Sequence, residues 1–116
     1  HVLLPLDTAN GANPEKYADT AIPLLVQMLL KEGAKKEFLS AKIAGGASMF
    51  KFESNVTLGQ IGDRNVEETK KMLEKLQIPL LEEDTGGNSG RVIDFYLMDG
   101  HLKVKASGQE KIYYKV

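Results

Sequence analysis

The dipeptide Asp99-Gly100 is the strongest local constraint in this chain, because it lies between two runs of strand-forming residues, Arg91–Leu97 and His101–Lys105. An Asp-Gly pair supplies the positive backbone torsions that a tight hairpin needs, so the two runs are predicted to pair antiparallel. An antiparallel pair excludes an all-helical fold and a purely parallel sheet. Helices must then pack on a mixed or antiparallel sheet, and the expected class is α+β with two main helices.

The clearer of the two helices is predicted from Asn65, which caps it with Glu68 three residues on, a variant of the capping box. Glu67 and Glu68 near its start and Lys70, Lys71 and Lys75 further along suit the helix dipole. Val66, Thr69, Leu73 and Leu76 are expected to share its buried face, and Pro79 to end it. The other helix has two candidate starts. One is Asn13 with Pro14 at the first position; the other, favoured here, is Asp19 or Thr20, which places Pro23 in the first turn where a missing N–H costs little. Ile22, Leu25, Met28 and Leu29 form its apolar stripe, and Gly33 is the expected stop.

Further strands are predicted at Glu37–Ala44, Met49–Phe52, Leu80–Asp84 and Lys111–Val116, with exposed loops at Asp7–Pro14 and Thr85–Gly90. Val2-Leu3-Leu4, ended by Pro5, predicts a strand covered on both faces. Such strands sit inside sheets, so the chain is expected to be entered in its middle. A length of 116 residues fits one domain, residues 1–116.

Charge and composition narrow the partners. Fifteen basic and sixteen acidic residues nearly cancel, and no basic run exceeds two lysines, which argues against a nucleic-acid surface. No apolar run approaches the length of a membrane span, so no membrane insertion is expected and the domain is read as soluble and cytoplasmic. Cysteine is absent, which removes disulfides, thiolate metal sites and any thiol nucleophile from these residues. With His1 and His101 as the only histidines, no metal site is expected, and no cofactor motif is present.

Small residues crowd three places: Gly45-Gly46-Ala47-Ser48, Gly59-Gln60-Ile61-Gly62 and Gly86-Gly87-Asn88-Ser89-Gly90. Such loops either make turns or line a cleft that a ligand enters. Neither the phosphate-loop pattern nor the dinucleotide fingerprint is completed by them. His1 is either a solvated end or, if it opens an interior strand, a general base. His101 reads as a solvent-facing strand residue. Arg64 and Arg91 each follow a glycine-containing loop, where arginine pairs with a carboxylate or holds loop carbonyls. Tyr113 and Tyr114 are expected to cover an edge or touch a partner. Glu82-Glu83-Asp84 is expected to be a solvated edge, since adjacent strand residues point to opposite faces.

Taken in order, five segments resemble one family, the chemoreceptor glutamine deamidases, CheD: His1–Pro5, Lys16–Leu25, Lys42–Phe50, Ile61–Asn65 and Asp84–Arg91. The resemblance runs to about Lys105. It implies a CheD-like cysteine-hydrolase fold and hydrolysis of a glutamine side-chain amide on a chemoreceptor, giving glutamate and ammonia. In that family a histidine followed by an apolar strand and proline lies downstream of a segment carrying the catalytic cysteine and a threonine. His1 matches the histidine and is the expected catalytic base. Gly45, Gly46 and Ala47 are the expected substrate-binding wall, with Arg64, Gly86, Gly87 and Arg91 as structural residues of the cleft.

The family resemblance also implies partners: the cytoplasmic helices of a chemoreceptor and a CheC-type phosphatase. The expectation is a single CheD-like domain lacking its N-terminal segment, with the nucleophile supplied from there. A noncatalytic adaptor that binds receptor or phosphatase is the alternative, and an anion-binding module built on the glycine loops is a weaker third reading.

Overall fold

The carbonyls of Leu4 and Pro5 cap the first helix. They accept the N–H groups of Ala18 and Asp19 at 2.9 and 3.2 Å, satisfying donors that no earlier helical turn can reach. The structure, a computed structural model, describes residues 1–7, 13–48 and 60–116. This tertiary cap explains why helix α1 spans Ala18–Lys31 with Tyr17 at its cap position, two residues before the nearer of the favoured caps, Asp19. Pro14 begins a separate 3-10 turn, Pro14–Lys16. Pro23 therefore lies inside α1 instead of in its first turn.

The apolar stripe of α1 also differs from expectation. Ala18 and Val26 are buried and Ile22 packs against the core, whereas Leu25 and Met28 are each 56% exposed. The buried line follows the i, i+4, i+8 spacing of Ala18, Ile22 and Val26. Gly33, with φ 104°, ends the helix as expected: its N–H donates to Leu30 and that of Ala34 to Leu29, the paired bonds of a Schellman turn.

Val2–Leu4 is not a covered strand. Leu4 makes one parallel bridge with Tyr17, and Leu3 remains 48% exposed. Strand β1, Ala41–Gly45, begins later than expected because Lys36–Phe38 closes into a 3-10 turn. The expected strand at Met49–Phe52, most of the first predicted loop and Gly59 lie outside the described residues.

Helix α2 covers Ile61–Lys75 and starts four residues before the expected cap. Asn65 is therefore inside the helix, and its amide donates to the Leu3 carbonyl at 3.1 Å. Leu73 on the predicted face is buried together with Met72, while Val66, Thr69 and Leu76 are partly covered. Val26, Leu73 and Ile78 form the core between the helices and strand β2, Leu80–Thr85, with Ile22, Ile43 and Leu80 packed around them.

β1 and β2 pair in parallel, Gly45 opposite Thr85, with an irregularity between Ala41 and Lys42. Strands β3 (Val92–Phe95), β4 (Leu102–Ala106) and β5 (Gln109–Tyr113) form a separate antiparallel sheet in sequence order. β3 and β4 pair antiparallel as predicted, with Phe95 opposite Leu102, but residues 96–101 connect them in place of the tight Asp-Gly turn expected. The first run ends two residues early, at Phe95, Tyr96 N–H donates to the His101 carbonyl at 3.0 Å, and of the Asp-Gly pair only Gly100 has a positive φ, 74°. Ser107 and Gly108, with φ of 51° and 76°, make a tight two-residue hairpin that starts the last strand two residues earlier than expected. The class is thus α+β, with a parallel pair, an antiparallel sheet and two main helices.

His101 is not a solvent-facing residue. Its side chain, 20% exposed, stacks on Tyr96 at 4.2 Å between ring centres and tilts against Tyr114 at 5.5 Å. Asp99 accepts the His101 backbone N–H at 3.1 Å and lies 2.6 Å from Nδ1, a close contact without hydrogen-bond alignment. The backbone N–H above all, with the imidazole beside it, holds the Asp99 carboxyl below the usual carboxylate range.

The end of α2 provides a direct test of this local reading. Gln77, with φ 60°, occupies the left-handed position of a second Schellman turn, where Ile78 N–H donates to Leu73 at 2.9 Å. A side chain there costs about 1–2 kcal/mol, and glycine returns about 0.5–1 kcal/mol of that through chain entropy. Gln77→Gly is therefore expected to raise unfolding free energy by about 0.5–1 kcal/mol in denaturant titration.

Candidate functional site

Two glycine loops leave the same end of the parallel pair, one from β1 and one from β2. Gly45 and Gly46 have φ of 117° and 68°, and Gly86 and Gly87 of 84° and 68°, so both chains turn where side chains are disfavoured. The loops are laced together: Gly86 N–H donates to the Gly45 carbonyl at 3.0 Å and Ser48 N–H to the Gly87 carbonyl at 2.9 Å.

Arg91 sits against both loops. Its Nη1 donates to the carbonyls of Gly86 at 2.6 Å and Ser89 at 3.0 Å and reaches that of Gly45 at 3.4 Å. Nε and Nη2 both face Asp84 Oδ1, at 3.3 and 3.1 Å, with only 11% and 21% of the two side chains exposed. The other carboxylate oxygen, Oδ2, accepts the Tyr113 hydroxyl at 2.8 Å. Both structural roles foreseen for an arginine here, carboxylate pairing and carbonyl holding, are combined in one side chain.

Asp84 is accordingly not part of a solvated edge, although Glu83 beside it is exposed and pairs with Lys70 of α2 at 2.7 Å. Tyr113 does more than cover an edge. Burial first, then the hydrogen bond to the Asp84 carboxylate and its charge, push the Tyr113 hydroxyl up to about 12.

Above these loops opens a cleft of about 540 Å³, lined by His1, Gly45, Gly46, Ala47, Asn65 and Arg91 among others. The structure thus brings the expected base and the expected wall to one place, with Arg91 beside them. Gly86 and Gly87 form the loop underneath and do not line the cleft. Arg64 is exposed on α2 and is also outside the lining.

Gly46 and Gly62 serve packing first. A Cβ on Gly62 would lie 2.5 Å from the Gly46 carbonyl oxygen and 2.7 Å from that of Ala47, so α2 touches the loop backbone itself. A Cβ on Gly46 would meet a methyl group of Val66. Asn65 was not foreseen in this site; its Oδ1 is buried without a hydrogen-bond partner while its amide holds Leu3, two residues from His1. Among the described residues, no group of His, Cys, Asp and Glu is placed to hold a metal ion, and no helix is long and apolar enough to cross a membrane.

An α+β protein in which helix and loop backbones touch through glycines, with a cleft opening beside the contact, is the class that this geometry defines. Comparison with known proteins makes it specific: residues 3–106 match the family model described as CheD chemotactic sensory transduction, and the chain belongs to the CheD family. A probable chemoreceptor glutamine deamidase CheD from Caldanaerobacter subterraneus subsp. tengcongensis is 48% identical over 110 residues, covering 93% of this chain and 68% of that protein. Proteins of the same description from Geobacillus kaustophilus and Lachnoclostridium phytofermentans are 48% and 49% identical, over 95% and 97% of this chain and 69% and 72% of their own lengths.

Two outcomes follow from the packing and the ionisation. Gly62→Ala is expected to lower stability by about 1–3 kcal/mol in denaturant titration, because the new methyl group meets backbone that cannot rotate away. Tyr113 binds its proton more tightly when folded, so its contribution to stability is intact below its ordinary value near 10 and is lost as pH rises from there through about 12. Alkaline unfolding followed by circular dichroism should show this component in the native protein and lose it in Tyr113→Phe.

Proposed function

We propose that the complete protein is a chemoreceptor glutamine deamidase, hydrolysing receptor glutamine side chains to glutamate and ammonia. The observation that carries this reading is the convergence of His1 with Gly45, Gly46 and Ala47 on one cleft, in a chain nearly half identical to proteins described as such deamidases. Glycine and alanine leave room for an extended glutamine side chain to enter from a receptor helix. Gly86 and Gly87 act below as a scaffold, and Arg64 serves the surface of α2.

A carboxamide is a poor electrophile, and these 116 residues contain no cysteine. The thiol is therefore assigned to a part of the protein outside this sequence, as the greater length of the relatives allows. His1 takes the thiol proton, and the thiolate adds to the carboxamide carbon. The imidazolium returns that proton to the departing nitrogen, so ammonia leaves and a thioester remains. Imidazole then takes a proton from water, hydroxide adds to the thioester carbon, and the carbon–sulfur bond breaks with the imidazolium giving that proton to the departing thiolate as glutamate forms. No metal or cofactor has a role in this sequence.

The reading places the protein in the cytoplasm, where receptor helices carry the modified glutamines, as a single CheD-like domain with a CheC-type phosphatase as a second partner. The absence of cysteine from these residues favours a second reading, a noncatalytic adaptor on the same surface. Intact mass and thiol titration of the complete protein separate the two. Incubated with a receptor cytoplasmic fragment, the complete protein is expected to convert glutamine to glutamate by mass spectrometry. His1→Ala should lower kcat by about 10²–10⁴-fold. Receptor binding without conversion, by a protein that titrates no thiol, would establish the adaptor.

A further inference from the structure

We propose that Tyr113 and Asp84 are positioning residues that set the Gly45–Ala47 wall of the cleft through Arg91. This inference rests on the deamidase reading for its catalytic consequence, but the relay itself is a property of the fold.

The wall has little local reason to keep one shape. Gly45 and Gly46 have positive φ and no Cβ, and glycine is the residue with the most backbone freedom to lose. The order must come from partners. The Gly45 carbonyl receives the Gly86 N–H at 3.0 Å and faces Arg91 Nη1 at 3.4 Å, while Arg91 also fixes the carbonyls of Gly86 and Ser89 in the supporting loop.

Arg91 is aimed in turn by one oxygen. Asp84 Oδ1 takes both Nε and Nη2, which fixes the guanidinium plane. The carboxylate can present that oxygen steadily only if its own rotation is stopped, and the Tyr113 hydroxyl on Oδ2 at 2.8 Å does this. Tyr113 lies on β5 of the antiparallel sheet and does not line the cleft. The relay therefore runs from one sheet to the loops of the other. Removing the Tyr113 hydroxyl need not displace the strand, because Lys42 Nζ holds the Tyr113 backbone carbonyl at 3.1 Å and the Gly100 carbonyl at 2.5 Å.

The catalytic consequence follows from the sensitivity of a reaction to small misplacement. A wall that fluctuates leaves the carboxamide bound but badly aimed, so turnover suffers more than binding. The test compares the complete protein with Tyr113→Phe, Asp84→Asn and the control Tyr114→Phe. Amide hydrogen exchange is read at Ser48 and Gly86, whose N–H groups bond the opposing loop. Deamidation of a receptor fragment is read as kcat and KM separately.

Tyr113→Phe and Asp84→Asn are expected to speed exchange at both amides about five- to tenfold and to lower kcat about tenfold, with KM within about twofold and Tyr114→Phe unchanged. Native exchange rates at Ser48 and Gly86 in both variants would overturn the relay, whatever the activity. Faster exchange with native kcat, or with KM alone raised, would overturn the positioning role. An inactive native protein would refute the deamidase reading and with it the catalytic consequence, while exchange would still decide the relay.

Discussion

The Asp84 carboxylate joins the two sheets by dividing its oxygens between them. One oxygen takes Arg91 at the loops that follow β1 and β2, and the other takes Tyr113 on β5. A carboxylate only 21% exposed is costly unless paired and hydrogen-bonded, and here both conditions are met. Its pairing has a further effect, since Nη1 of the guanidinium keeps both its N–H groups for the loop, donating to the carbonyls of Gly86 and Ser89 and facing that of Gly45. Residues with the least backbone preference in the chain thereby take their order from a charge in a neighbouring strand. Lys42 adds a second tie between the sheets through the carbonyls of Gly100 and Tyr113.

A contact between bare backbones carries the same order across to the start of the chain. Gly62 lets α2 press on the carbonyls of Gly46 and Ala47, which fixes the first turns of that helix against the cleft wall. Three residues further on, Asn65 holds the Leu3 carbonyl, and the Leu3 N–H donates to Lys16 at 2.8 Å. His1 is thus attached to a segment held from both sides, by α2 and by the turn that precedes α1. The same segment caps α1 through Leu4 and Pro5, so helix start and cleft rim are built from one stretch of backbone.

The elements most legible in the sequence were those set by local chemistry. The antiparallel pairing of β3 with β4, the stop at Gly33 and strand β2 lie where turn residues and apolar runs place them, although the turn around Asp99-Gly100 is wider than the dipeptide alone suggests. The misplaced boundaries share a different cause. Asn65 looked like a cap, yet α2 starts four residues earlier because Gly62, a poor helix former, is paid for by contact with the loop. Val2–Leu4 has the composition of a covered strand, but its hydrogen bonds go to a helix start. At the cleft, the resemblance to CheD brought His1 and the glycine wall into view. Asp84 and Tyr113, 29 positions apart, carry no pattern that would associate them.

This division has a consequence for how the proposed chemistry is shared out. Hydrolysing a carboxamide needs a nucleophile, a proton carrier and a rigid surface that holds the carbonyl while charge develops on it. The proton carrier tolerates some freedom, because an exposed imidazole can swing to meet a thiol and its substrate. The surface does not, since its value lies in being in place before the reaction begins. The structure matches that ordering: His1 is exposed at the rim, while the wall is bound by the adjoining loop, a largely covered arginine and a helix packed to backbone contact. The part of the site made of glycine is therefore the part most heavily held, and two of the residues behind that hold, Asp84 and Tyr113, do not line the cleft.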